Sequence, residues 1–518
     1  MPLRMPLRMV LGSLLSAALV GVGFTAAEGP VERLLPWFAM VPLLVALHSA
    51  RERGGSRWLH GITFGWILCA WSLHPLVQAD LAAAGGADAI IFDVLGVVLR
   101  NGVLWTALSL HFGAFAWASG LLFRSRYLSV SLVGLPIVWV AIEVFRSSFS
   151  PIPVSWILLG ESIDSGDPET GIVSIAGVVG LGGAIVFTNV AFALVVVERR
   201  AARQFLLAAL GCLAFAACYI EGTTSGTDTF ARHSVRIGIV QIDERSVDTT
   251  LEFADQIIGS YPDLVVFPGL AFVVPESFRL DLEGKLLEFA RLRKVDVIAG
   301  VGLIPGTASR LPGDDDLVST RGGFTLRDSG FVFVSRDGGI ARFGNLRDAR
   351  RPPGAFDDTG RAAAVIDTTF GKLGVGLDEA FDAPAIAQQL VAGGAQILIA
   401  LGGEEARAGE QYAATRARMQ APRALETGTF LVRATLSGRS GIWDARGAPR
   451  EQAIAGSPWA NVSPVAMRDA EDPHTTCLRS GWLLGPIAVG LSAGILVAAA
   501  FEPLARRRRR HARTEPPA

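Results

Sequence analysis

The chain has 518 residues, half of them hydrophobic and only 18% charged, against roughly 25% charged in soluble domains. Its mean hydropathy is positive, so the apolar excess needs lipid rather than a larger soluble core. A formal net charge of −1 offers no basic field and sets nucleic-acid binding aside.

Apolar runs of near-spanning length fall at about 9–26, 33–50, 58–78, 89–123, 128–146, 172–197 and 203–220, with an eighth near 482–501. Arg4 and Arg8 precede the first run as in a signal peptide, but no small-residue cleavage pattern is clear, so it reads as a retained span. Basic residues cluster in alternate loops: Arg51, Arg53 and Arg57, then Arg124 and Arg126, then Arg199, Arg200 and Arg203, and finally Arg506 to Arg510. The loops 79–88 and 147–171 contain no Arg or Lys. Cationic loops stay cytoplasmic, so both termini are expected in the cytoplasm and the region after the seventh span outside it. Two spans within 89–123 would invert everything downstream, so charge favours one long helix there.

From 233 to 467 the pattern changes. Runs at 235–242, 264–267, 295–303, 330–335, 373–377 and 395–400 read as strands, and 251–260, 282–292 and 383–393 as helices. Alternation of this kind indicates an α/β domain. Gly300, Gly302 and Gly306 lack the spacing and helix start of a dinucleotide fingerprint. Gly177, Gly180, Gly182 and Gly183 lie in a span, where small residues let helices approach closely. The four cysteines, Cys69, Cys212, Cys218 and Cys477, form no C-x-x-C pair, and no histidine lies between 234 and 473. Neither a metal nor another cofactor is expected.

Several local runs carry a family likeness. They include Trp139, Glu143 and Arg146 on one helix, Trp156 with Gly160 and Ser162, and the Gly-rich span ending at Asn189. In the α/β region they include Asp263 to Pro268, Gly371 to Val375, and the run from Arg423 through Glu426, Gly428 and Arg433 to Thr435. With this order of elements, the chain resembles bacterial apolipoprotein N-acyltransferases, a membrane-embedded branch of the nitrilase superfamily. The resemblance implies a polytopic α-helical membrane domain plus an α/β nitrilase-like domain, an αββα sandwich, outside the cytoplasm. The expected divisions are a seven-span domain at 1–222, the nitrilase-like (carbon–nitrogen hydrolase) domain at 233–467, a last helix at 482–501 and an Arg-rich cytoplasmic tail at 502–518. The expected location is a bacterial inner membrane, with the nitrilase-like domain periplasmic.

The resemblance also implies three catalytic groups: a Glu general base, a Lys that stabilises the oxyanion, and a Cys nucleophile. The corresponding positions hold Gly269, Asn345 and Asp378. A second acid falls on Ala380, with Glu379 one register off. The Pro-rich run Arg350 to Gly354 and the loop Leu401 to Glu405 also depart from the family pattern. Glu143, Arg146, Glu426 and Arg433 each have a plain structural reading, because buried charges are usually paired. The leading expectation is a family member without catalysis, with membrane lipids as partners and lipoproteins as a further class. The alternatives are a working acyltransferase with relocated catalytic groups, which transfers an acyl chain from phospholipid to a lipoprotein N-terminus, and a membrane scaffold.

Overall fold

The computed structural model describes residues 4–25, 33–50, 57–83, 91–125, 127–149, 155–224, 233–244, 246–259, 261–304, 328–344, 363–403, 409–469 and 474–514. The chain divides into two compact units, one of Met1–His74, Val98–Gly226 and Arg479–Ala518, the other of Pro75–Val97 and Thr227–Leu478.

The first unit is helical: α1 (Arg4–Thr25), α2 (Pro36–Ala39), α3 (Val41–Ser49), α4 (Arg57–Ser72), most of α6 (Ile91–Leu122), α7 (Leu128–Val144), α8 (Val173–Val197), α9 (Ala201–Thr224) and α16 (Leu484–Thr514). Among the described residues, five helices are long and apolar enough to cross a bilayer: Val94–Leu122, Leu128–Ser147, Val173–Val197, Ala201–Thr223 and Thr476–Glu502. The eight expected spans are therefore not all single long helices. The run at 33–50 is broken at Met40, and Pro42, which has no N–H to give to the preceding turn, sits in the first turn of the new helix. Asn189 of α8 repairs the break: its Oδ1 accepts from Met40 N at 2.8 Å and its Nδ2 donates to Pro36 O at 2.9 Å. Backbone groups freed inside a membrane need such partners. The run at 58–78 also stops early, at Ser72, and a separate helix α5 (His74–Ala83) starts with Pro75 in its first turn. Pro75–Val97 groups with the second unit. Within the run at 89–123, Ile91–Leu122 forms one helix of 32 residues, α6, about 48 Å long at 1.5 Å per residue.

Glu143 and Arg146 do not simply pair with each other. Glu143 Oε1 accepts from Leu159 N at 2.8 Å, and Arg146 Nη2 donates to Ile157 O at 3.2 Å. Ile157 sits at φ +54°, a conformation costly for a β-branched residue. The two buried side chains thus hold a non-helical segment at membrane depth. Gly182 lies close beside them, since a Cβ there would be 2.8 Å from Glu143 Oε2.

The second unit is built on two sheets. Its strands are β1 (Ser234–Gln241), β2 (Leu264–Val266), β3 (Phe272–Pro275), β4 (Asp296–Ile304), β5 (Asp328–Val334), β6 (Ile340–Gly344), β7 (Ala363–Thr368), β8 (Gly371–Leu377), β9 (Ile397–Gly402), β10 (Leu431–Thr435), β11 (Gly441–Trp443), β12 (Pro449–Gln452) and β13 (Trp459–Ala466). One sheet runs β13-β1-β2-β4-β5-β6 with β3 beside β4, and the other runs β12-β11-β10-β9-β8-β7. Side chains alternate between faces along a strand, and the buried clusters follow that period. Ile237, Ile239, Leu264, Val266 and Ile298 of the first sheet pack against Leu373, Val375, Ile397 and Ile399 of the second. Val265, Val297 and Ala299 point the other way, onto α10 (Val247–Ile258) and α11 (Arg279–Arg293) through Ala254, Leu286 and Phe289. Leu398 and Ala400 of the second sheet pack on Ala387 and Leu390 of α12 (Pro384–Ala392), and on Ala417 and Ala424 of α13 (Gly409–Gln420) and α14 (Pro422–Thr427). The result is four layers, helix–sheet–sheet–helix. Gly300 and Gly302 lie inside β4 rather than at a helix start, as strand glycines rather than a nucleotide loop.

Candidate functional site

Two of the three positions expected to carry chemistry meet at the end of β9. Gly269 follows β2, and Asp378 follows β8 in a short turn, Asp378–Asp382. Both border Leu401 and Gly402. A Cβ on Gly269 would lie 2.6 Å from Leu401 O, and one on Gly402 would lie 3.4 Å from Asp378 Oδ1. Asn345 lies outside the described residues, as do Arg350 to Gly354 and the end of the loop at Glu404 and Glu405.

Gly269 occupies a position without side-chain room. It is buried, and β4 closes on it from the other side, since a Cβ on Gly300 would lie 2.4 Å from Gly269 Cα. Gly300 N donates to Pro268 O at 3.0 Å, which locks this approach. Leu270, at φ +58°, turns the chain over this contact.

Asp378 is 5% exposed and sits in a closed charge network. Arg416 of α13 donates to its Oδ2 from Nη2 at 2.6 Å and from Nε at 3.2 Å. Arg433 of β10 donates from Nε to Oδ1 at 3.3 Å and from Nη2 to Oδ2 at 3.4 Å. Arg416 Nη1 also reaches both carboxylate oxygens of Asp382 at 2.9 Å. Gln420, one turn after Arg416, donates to Asp378 O at 2.9 Å and accepts from Arg433 Nε at 2.9 Å. Two carboxylates thus face two guanidiniums, and all four groups are buried. Burial alone would raise the Asp378 pKa, but the Arg433 and Arg416 charges and the hydrogen bonds from Arg416 and Gln420 override it. The carboxyl is held well below the usual carboxylate range. Its lone pairs are engaged, and so low a proton affinity makes it a weak base and a weak nucleophile.

The neighbouring candidates are structural in this geometry. Arg423 lies 3.1 Å from Glu426, both nearly inaccessible, and Arg423 Nη1 donates to Asp382 O at 3.3 Å. Ala380 packs in the outer apolar cluster. Cys477 is buried against the Gln388 amide at 3.6 Å. Among the described residues, no three His, Cys, Asp or Glu side chains come together to hold a metal. The sequence reading singled out Arg433 but missed Arg416, Gln420 and Asp382. The fourfold spacing of Asp378 with Asp382, and of Arg416 with Gln420, was the available signal, since such pairs share one helical face.

A family profile described as the apolipoprotein N-acyltransferase N-terminal domain matches residues 16–191. A protein from Gloeobacter violaceus named apolipoprotein N-acyltransferase is 27% identical over 523 residues, covering 92% of each chain. Over nearly its whole length the chain is thus similar to an apolipoprotein N-acyltransferase. The chain is also similar to an amidase from Nesterenkonia sp. AN1, seen with a covalent adduct at its active-site cysteine: 16% identity, TM-score 0.35, 46% of this chain and 94% of that one. A nitrilase-superfamily protein from Saccharomyces cerevisiae matches with 14% identity and a TM-score of 0.35, over 46% of this chain and 93% of that one. The chain joins helices long and apolar enough to cross a bilayer to a two-sheet α/β unit.

Proposed function

We propose that this chain is a non-catalytic member of the apolipoprotein N-acyltransferase family, which binds membrane lipid or lipoprotein without transferring an acyl group. The observation that carries the reading is Asp378, placed where the family likeness puts the nucleophile and tied into a neutral buried network with Arg416, Arg433 and Asp382. Acyl transfer needs a nucleophile with a free electron pair and a base that accepts its proton. Here the first is bound by two guanidiniums, and the second is a glycine packed against backbone.

The orientation belongs to the same proposal. The Arg-rich loops share one side, so the nitrilase-like domain is periplasmic and both termini are cytoplasmic in a bacterial inner membrane. A reporter fused after Gly300 is expected to read as periplasmic, and a cytoplasmic reading overturns the orientation.

Function is tested by complementation. A bacterial strain depleted of its own N-acyltransferase, expressing this chain at verified membrane levels, is expected to remain unable to grow. Rescue of growth with N-acylated lipoproteins would show a working enzyme and end the non-catalytic reading.

A further inference from the structure

The membrane unit contains a crevice of about 570 Å³ between α6, α7 and α16. Its wall on α6 runs from Leu104 to Ala118 and includes Ala107, His111 and Ala114. Ala107, His111, Ala114 and Ala118 recur at helical spacing and so share one face of α6. The large residues Phe112 and Phe115 lie on the adjoining face and pack on Trp139 of α7. Helix α16 is seated on α7 elsewhere, with Ser492 Oγ donating to Ile137 O at 3.2 Å and Ala488 packed against Val140 and Ala141. The gap stays open between α6 and α16, floored by Ala141 and Phe145.

We propose that this crevice is a binding site for one acyl chain of a bilayer phospholipid. Every lining residue belongs to a helix of membrane-spanning length and composition, so the medium that meets the opening is hydrocarbon. The lining is apolar apart from His111 and Ser492, and the Ser492 hydroxyl already donates to backbone. Water needs two to four polar partners and finds too few here. Leu104 to Ala118 spans about 21 Å at 1.5 Å per residue. That length exceeds half of the roughly 30 Å hydrocarbon core, so an extended chain from one leaflet lies along it. The assignment is independent of whether the nitrilase-like domain is catalytic.

The test uses full-length protein in vesicles of phosphatidylethanolamine and phosphatidylglycerol, with a phospholipid carrying a photoactivatable group near the end of one chain. After irradiation, adducts are mapped by peptide mass spectrometry. Adducts on α6 between Leu104 and Ala118, and on α16 near Ser492, are expected to exceed those at the exposed α9 positions Phe205 and Leu213 about tenfold, a preference of roughly 1.4 kcal/mol. Ala114→Trp fills the crevice and should abolish that excess while the α9 adducts persist. Even labelling of α6, α9 and α16 in the wild-type protein would overturn the proposal whether or not the variant folds. Undiminished crevice labelling in an Ala114→Trp protein with unchanged melting would overturn it too.

Discussion

Arg433→Ala is expected to lower the melting temperature of the purified full-length protein by roughly 6–20 °C. Removing one partner of a buried ion pair typically costs about 3–5 kcal/mol, because the other charge is left desolvated and uncompensated. One kcal/mol shifts the midpoint by about 2–4 °C in a domain of 150–250 residues. Arg433 is fully buried and bonded to Asp378, Gln420 and the Arg439 carbonyl. By contrast, Lys372 and Asp367 pair at 3.3 Å with half or more of each side chain exposed, and Lys372→Ala should stay within about 0.5 kcal/mol of the parent.

The same network gives the effect a pH dependence of definite sign. The Asp378 pKa is depressed in the folded protein. Its stabilisation is therefore complete above the unfolded value of about 3.9 and is lost as pH falls through the lower folded value. Arg433→Ala weakens that depression, so the gap in melting temperature should narrow as pH falls below about 4, down to what the Gln420 and Arg439 bonds contribute. A gap that stays constant from pH 7 to the acid limit would show that Asp378 does not report on Arg433.

Gly269→Glu, which puts a carboxylate where the resemblance expects a general base, is expected to destabilise the two-sheet unit by about 1–3 kcal/mol or more, as overpacking does. The cause lies in the first carbon of the new side chain. It would lie 2.6 Å from the Leu401 carbonyl oxygen, which belongs to a buried strand end and cannot rotate away. Gly269→Ala meets the same atom and should show most of the loss. Thermal melts of the two variants against parent decide the matter. A stable Gly269→Glu protein would mean that the β2–β9 approach is loose and that space for a base survives.

This geometry also changes what a thiol at 378 would do. Sequence alone suggests that a Cys there keeps an ordinary pKa near about 8.5 and lacks a cation. In the structure Arg416 and Arg433 flank the position, and neighbouring guanidiniums favour a thiolate. The obstacles to chemistry in Asp378→Cys are therefore the missing base at Gly269 and the loss of the carboxylate that balances two buried cations. Gly269→Glu, Asn345→Lys and Asp378→Cys together inherit both problems.

The alternation of strands and helices was legible in the sequence because inner strands such as β2, β4 and β9 are buried apolar runs and α10 carries one apolar stripe. The helix breaks were less legible. Pro42 and Pro75 signal them, but mean hydropathy over 33–50 and 58–78 hides a proline inside an apolar run. That Gly269 and Asp378 stand where the resemblance expects a base and a nucleophile was read from the flanking runs Asp263 to Pro268 and Gly371 to Val375. The partners of Asp378 could not, since Arg416 lies 38 residues away, on a helix that only the fold brings to the end of β8. Nor could the crowding at Gly269, which depends on backbone from β4 and β9 and leaves no mark in side-chain pattern.

The central claim is that no acyl-enzyme forms on the nitrilase-like domain. Purified full-length protein incubated with a phospholipid bearing a labelled acyl chain, then denatured and measured by intact mass, tests it directly. The expected result is the mass of the unmodified chain, with label removed by denaturation as non-covalent lipid. A denaturation-resistant mass increase of one acyl group, mapped to a peptide between Ser234 and Ala466, would contradict the account.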